Sequence, residues 1–194
     1  GHYVVTRNGS ALISFTVPDE EIYSFRIVAA HNDSPTFQIK ENPELQDNTY
    51  IRLNVEGYGG MIMNSWIDRP LSVAGRIYIN KEGTITPEMI AIDGTTLIIP
   101  SVAIHMNREI NKGYTWNIQK DLLPLYGTAE TKISFMQMIA AAANVTTDSI
   151  LGHDLFLYSR VPGTIWGIEK EFISSPRLDD LQCAFAAFRG YALA

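Results

Sequence analysis

Tyr23-Ser24-Phe25-Arg26-Ile27-Val28-Ala29-Ala30 is apolar at all but two positions and runs straight into His31-Asn32-Asp33-Ser34-Pro35. Such a run reads as a strand buried on both faces. Loops that follow buried strands are where α/β proteins place their sites. His31 and Asp33 are two apart, so on an extended chain they point to the same side. A neutral imidazole can bind a divalent metal ion, and a nearby carboxylate can fix its orientation or tautomer. The same residues also suit a plain turn, with Asp33 bonding the backbone ahead of Pro35.

On either side of this stretch the pattern stays strand-like. Leu12 to Val17 is β-branched and aromatic, and Thr36 to Lys40 alternates with Phe37 and Ile39 on one face. Tyr50 to Glu56 sets Ile51, Leu53 and Val55 opposite Tyr50, Arg52 and Asn54. Gly57 to Gly60 reads as a turn. Leu71 to Ile79 is a further strand, with a hairpin-like turn at Asn80-Lys81-Glu82-Gly83. Thr95 to Ile99 is a strand ended by Pro100, and Asp154 to Ser159 returns to a sheet. Two helices are expected. One covers Thr131 to Ala143, with Ile133, Met136, Ile139, Ala140 and Ala143 at helical spacing and Asn144 closing it. The other starts at Ser175 as cap and Pro176 as first helical residue, with Leu178, Leu181, Phe185, Phe188 and Ala192 as its apolar stripe. The fold class is therefore α/β: an α/β layer interrupted by a mainly β insertion.

The last helix carries a second candidate, Ser175-Pro176-Arg177-Leu178-Asp179-Asp180-Leu181. Two carboxylates in a first helical turn suit the helix dipole. A carboxylate can equally bridge two metal ions, because both of its oxygens can be used at once. Asp179 lies off the stripe of Leu178 and Leu181 and can face a site. Asp68 and Arg69, at a strand start, read as a turn-stabilising pair. His105, in Ile104-His105-Met106-Asn107-Arg108, reads from its surroundings as a satisfied histidine. Glu20-Glu21 reads as a solvated turn, and His2 and His153 have no context that raises them. Cys183, inside the last helix near its apolar face, reads as a small buried hydrophobe. There is no glycine-rich phosphate loop, nucleophile elbow, His-Glu-x-x-His or Cys-x-x-Cys.

Composition narrows the function classes. The 194 residues are 46% hydrophobic and 19% charged, enough apolar material for a sizeable core. Net charge is -6, with 15 Lys and Arg against 21 Asp and Glu, which argues against a nucleic-acid or anionic-membrane partner. The single cysteine excludes a disulfide within the chain and suits a reducing, cytoplasmic setting. No signal peptide is read in Gly1-His2-Tyr3, and Phe135 to Val145 is too short an apolar run to span a bilayer. Both ends read as cut.

Together these segments resemble the M18 family of metalloaminopeptidases, the aspartyl aminopeptidase group. The stretches that carry the likeness occur in the family's order. They are Thr6-Arg7-Asn8-Gly9-Ser10, Ala30 to Pro35, Trp66-Ile67-Asp68-Arg69-Pro70-Leu71 through Arg76, Ile99-Pro100-Ser101 through Met106, Leu122-Leu123-Pro124-Leu125, and Glu171 through Leu181. The last is the most specific.

The resemblance implies a zinc-dependent aminopeptidase that releases acidic or neutral N-terminal residues from peptides by two-metal hydrolysis. By that likeness His31 ligates one metal ion and Asp33 orients its imidazole, as a catalytic group that does not bind metal. Asp179 bridges two zinc ions, and His105 reaches the substrate site of a neighbouring subunit. The cofactor would be two zinc ions, with Mn or Co as alternatives. The implied architecture is a partial zinc-peptidase α/β domain from residues 1–40 and 163–194, with a β-rich dimerisation domain inserted at 41–162. The implied partners are a peptide substrate and further copies of the chain, as a dimer or a dodecamer.

One departure is plain. The family's general-base glutamate belongs to a Glu-Glu pair downstream of the Arg-Leu-Asp motif, and further ligands follow it. Only 15 residues follow Asp179 here, and after Asp180 they include no Glu, Asp or His. The expectation is a front portion of an aminopeptidase, inactive by itself and binding zinc weakly or not at all. The alternatives are a non-enzymatic assembly module derived from the family, or a chain completed by a second polypeptide.

Overall fold

The computed structural model describes residues 1–94 and 96–194. In chain order its elements are β1 (His2–Arg7), β2 (Ala11–Thr16), β3 (Thr36–Gln46), β4 (Tyr50–Tyr58), β5 (Leu71–Lys81), β6 (Thr84–Ala91), α1 (Ile118–Asp121), β7 (Leu125–Thr128), α2 (Phe135–Ala142), β8 (Ile150–Ser159), β9 (Thr164–Trp166), β10 (Phe172–Ser174) and α3 (Leu178–Leu193), with short 3₁₀ turns between them. They divide into two compact units, residues 1–34 with 164–194, and residues 35–163. The expected division between residues 40 and 41 falls inside β3, which belongs whole to the second unit.

The second unit is a six-stranded antiparallel sheet in the order β6-β5-β8-β3-β4-β7. Period-two patterning puts one set of side chains on the core face. That set is Phe37 and Ile39 from β3, Ile51, Leu53 and Val55 from β4, Leu71, Val73, Ile77 and Ile79 from β5, and Leu155 and Leu157 from β8. Helix α2 contributes Phe135, Ile139 and Ala140 to the buried set. Two hairpin features follow from local chemistry. Glu82 and Gly83 both have positive φ between β5 and β6, and Asn80 Oδ1 accepts from the Gly83 N–H at 2.8 Å. In β3 the register slips between Ile39 and Glu44, a bulge that lets the strand continue to Gln46.

The first unit is made of two short hairpins and a helix. β1 and β2 pair antiparallel around Asn8 and Gly9, both at positive φ, and β9 pairs with β10. Tyr191 in α3 donates its hydroxyl to Phe15 O of β2 at 2.8 Å.

Several expectations are corrected. Tyr23 to Ala30 is not a buried strand: it joins no ladder among the described residues, and Tyr23, Phe25, Ile27 and Val28 are 78–87% exposed. Apolar content signals a demand for cover, and a ladder needs a neighbouring strand as well. Helix α2 begins four residues later than expected, because Ser134 caps it in a reciprocal box with Gln137 and Ile133 stays exposed. The turn expected at Gly57 to Gly60 starts later, since Gly57 and Tyr58 still pair in β4. Of the strand expected over Thr95 to Ile99, Thr95 lies outside the described residues. Leu97 and Ile98 make only isolated bridges, to Leu71 and Leu125. Strand β6 and the hairpin of β9 and β10 went unread. In β6 the alternation is blurred by Pro87, and only Ile90 is buried.

Candidate metal site

The start of α3 departs from the regular helix foreseen with Ser175 as cap. Arg177 is left-handed at φ 66°, and Asp179 and Asp180 are both non-helical, joined by a cis peptide bond. Regular turns therefore begin at Leu181, and Asp180 stands where a cap belongs, its carboxylate facing Cys183. A bend of this kind aims two neighbouring carboxylates differently. The Asp179 side chain is 94% exposed and that of Asp180 only 16%.

The loop after residue 30 meets this bend. His31 Nε2 lies 3.2 Å from Asp179 Oδ1 and 4.0 Å from Asp180 Oδ2. On the other side of the ring, Nδ1 is 3.1 Å from Asp33 O and 3.2 Å from Asp33 Oδ1. With the proton on Nδ1, the imidazole donates to Asp33 and its Nε2 lone pair faces Asp179. Backbone contacts hold the two segments together. The His31 N–H donates to Asp180 Oδ2 at 3.2 Å, and the Ser34 hydroxyl donates to Asp179 O at 3.1 Å. Asn32 Nδ2 donates to Ser10 O at 2.8 Å, which ties the loop to the β1–β2 turn.

Charge follows geometry. The His31 pKa is raised, first by its hydrogen bond to the Asp33 carbonyl; burial opposes this, and the Asp33 side chain and the charges of Asp180 and Asp179 add to the rise. The Asp180 carboxyl is held below its usual range, chiefly by the Cys183 thiol and next by the His31 N–H. The hydrogen bond to Asp180, and then its charge, in turn push the Cys183 thiol up. Cys183 is exposed, which corrects its reading as a buried hydrophobe: the stripe it borders is itself uncovered, with Phe185 68% and Phe188 50% exposed.

Of the four residues singled out from the sequence, the structure gathers His31, Asp33 and Asp179. His105 lies in the other unit, exposed, in the 3₁₀ turn Ile104–Met106. Asp68 does not pair with Arg69 as expected. Its carboxylate accepts from the Ser101 N–H at 2.8 Å and the Ser101 hydroxyl at 2.5 Å, because the left-handed backbone at Asp68 turns it that way. Asp180 and Ser34 went unread as site residues. The adjacency of two aspartates was the one available signal for the first.

The donor set suits zinc in part. Two donors at about 2.0–2.2 Å from a tetrahedral ion stand roughly 3.3 Å apart, and the His31–Asp179 spacing is close to that. Among the described residues, no three His, Cys, Asp or Glu side chains are gathered so as to hold an ion.

The family described as aminopeptidase I zinc metalloprotease (M18) matches residues 1–194, and the chain belongs to that M18 family of peptidases. A probable M18 family aminopeptidase 2 of Clostridium novyi is 46% identical over 197 residues, which cover 97% of this chain and 46% of that protein. The chain thus spans about half the length of the curated relatives it matches. The Chaetomium thermophilum mApe1 structure superposes with a TM-score of 0.83 at 29% identity, over 97% of this chain and 46% of that one. The mApe1 dodecamer of S. cerevisiae gives a TM-score of 0.64 at 28% identity, over 81% of this chain and 36% of that one. No helix among the described residues is long and apolar enough to cross a membrane.

Proposed function

We propose that these residues form part of a two-zinc aminopeptidase centre that removes acidic or neutral residues from peptide N-termini. The observation that carries this is the His31 ring, tied through Nδ1 to Asp33 and presenting Nε2 to Asp179 at 3.2 Å. In this reading His31 would hold one ion and Asp179, whose side chain is exposed, would bridge to a second. Asp33 fixes the tautomer that leaves Nε2 unprotonated and holds the ring plane. When bound, zinc supplies polarisation of the scissile carbonyl and a water of lowered pKa. The raised His31 pKa means that protons compete for Nε2, so zinc affinity falls as pH drops through that value.

The same reading gives residues 41–162 the role of an assembly domain, with His105 contributing to the substrate site of an adjacent copy. The dodecameric state of the S. cerevisiae relative supports a homo-oligomer. Because one imidazole and one bridging carboxylate do not complete a zinc pair, the 194 residues alone should bind zinc weakly and turn over no substrate.

Two measurements test this. Zinc titration against a chromophoric chelator should show weak binding that His31→Ala and Asp179→Asn each abolish. Binding unchanged in both variants would remove the metal reading. Incubation of the purified chain with Asp- and Leu-nitroanilide should release no nitroaniline, and turnover would overturn the claim that the chain is inactive alone.

A further inference from the structure

Asp180 is the least exposed carboxylate of the cluster, with a side chain 16% exposed against 94% for its neighbour Asp179. It reaches three donors. Within α3 its carboxylate faces the Cys183 N–H and thiol, the position of a helix cap. Across a sequence separation of 149 residues it accepts, through Oδ2, from the His31 N–H at 3.2 Å. The backbone of the imidazole donor and the helix that carries the bridging carboxylate are thus joined through one side chain.

We infer that Asp180 is a positioning residue: its carboxylate bridges the His31 N–H to the first turn of α3 and so sets the distance between His31 Nε2 and Asp179. This rests on the metal reading above and deepens it. Asp180 itself lies 4.0 Å from Nε2, beyond hydrogen-bond reach, and acts through the backbone of His31. A residue that only capped the helix would have no need to meet the His31 N–H. The second link, from the Ser34 hydroxyl to Asp179 O, acts on the same pair of segments and leaves the His31 N–H to Asp180.

The test separates capping from bridging at constant charge. Asp180→Ser keeps a cap oxygen for the Cys183 N–H but is too short to reach His31. Asp180→Asn keeps both the cap and the reach, and both variants are neutral. Helix stability, read as the thermal midpoint by circular dichroism, should match between the two, since serine and asparagine cap about equally well. Amide hydrogen exchange at His31, read by NMR, should be about tenfold faster in Asp180→Ser than in Asp180→Asn. Zinc should bind about tenfold more weakly to the serine variant, the scale on which residues behind a metal ligand act. Equal His31 exchange in the two variants overturns the bridge, whatever happens to the midpoint. Unequal exchange with equal zinc affinity overturns the positioning role. Failure of the metal reading shows separately, as an Asp179→Asn chain that binds zinc like the parent, and the exchange comparison still decides the bridge.

Discussion

The two units differ in what holds them. In residues 35–163 the sheet and α2 enclose Phe37, Leu53, Val55, Leu71, Val73, Ile77, Ile99, Leu122, Phe135, Ile139 and Leu155 with no exposure at all. Among the described residues of 1–34 and 164–194, every one keeps some accessible surface and none is buried. The cluster of His31, Asp33, Asp179 and Asp180 sits wholly in residues 1–34 and 164–194. Its order comes from directional contacts, such as the His31 N–H to Asp180, the Ser34 hydroxyl to Asp179 O and the Asn32 amide to Ser10 O. Apolar burial is non-directional and scales with area, so it fixes a fold without fixing one donor against another. Hydrogen bonds contribute less each but set distances and angles, which a metal site requires.

The sharpest way to break this contrast is to delete one phenyl ring from each unit. Phe135 is fully buried under the sheet, and Phe135→Ala should cost about 3–5 kcal/mol in urea unfolding. Phe185 in α3 is 68% exposed, and Phe185→Ala should change stability by no more than about 0.5 kcal/mol. Equal losses would show that both units are packed alike. A second test stays inside the sheet. Gly75 lies where β5 pairs with both β6 and β8, and a Cβ there would stand 2.1 Å from Asp154 O, a backbone atom that cannot swing aside. Gly75→Ala should therefore separate the central ladder and cost roughly 2–3 kcal/mol or more. A neutral result by the same unfolding measurement would mean the β5–β8 register is softer than the core around it.

How much of this was legible depended on what each signal encodes. Alternation in Tyr50 to Glu56 and the run from Leu71 named true core-facing residues, because period two is a property of one strand alone. The same logic misled at Tyr23 to Ala30 and along α3, where apolar residues are exposed: a sequence states which side chains need cover, and the partner that gives it lies elsewhere. His31, Asp33 and Asp179 were named as candidates from local motifs and family likeness, and the structure brings them close together. Asp180 was not, because its part depends on a non-helical bend at Asp179 and Asp180 that helical spacing hides. Ser101, the true partner of Asp68, stands 33 residues away, beyond any local pairing rule.

That last contact gives the smallest effect and a pH signature. Asp68 belongs to the well-packed unit, yet its carboxylate is held by hydrogen bonds of the kind that order the cluster around His31. Ser101 donates both its N–H and its hydroxyl, which lowers the Asp68 pKa below the ordinary 3.8. A lowered folded pKa means the unfolded chain binds the proton more readily. The stabilisation is then present in full above the unfolded value and is lost as pH falls through the folded one. For an exposed carboxylate the loss in Asp68→Ala should be about 1 kcal/mol near neutral pH. Well below the folded pKa, parent and variant should unfold at the same urea concentration. A difference that persists in acid would mean that Asp68 acts through its left-handed backbone and not through its charge, and the two units would then differ in burial but not in how their loops are held.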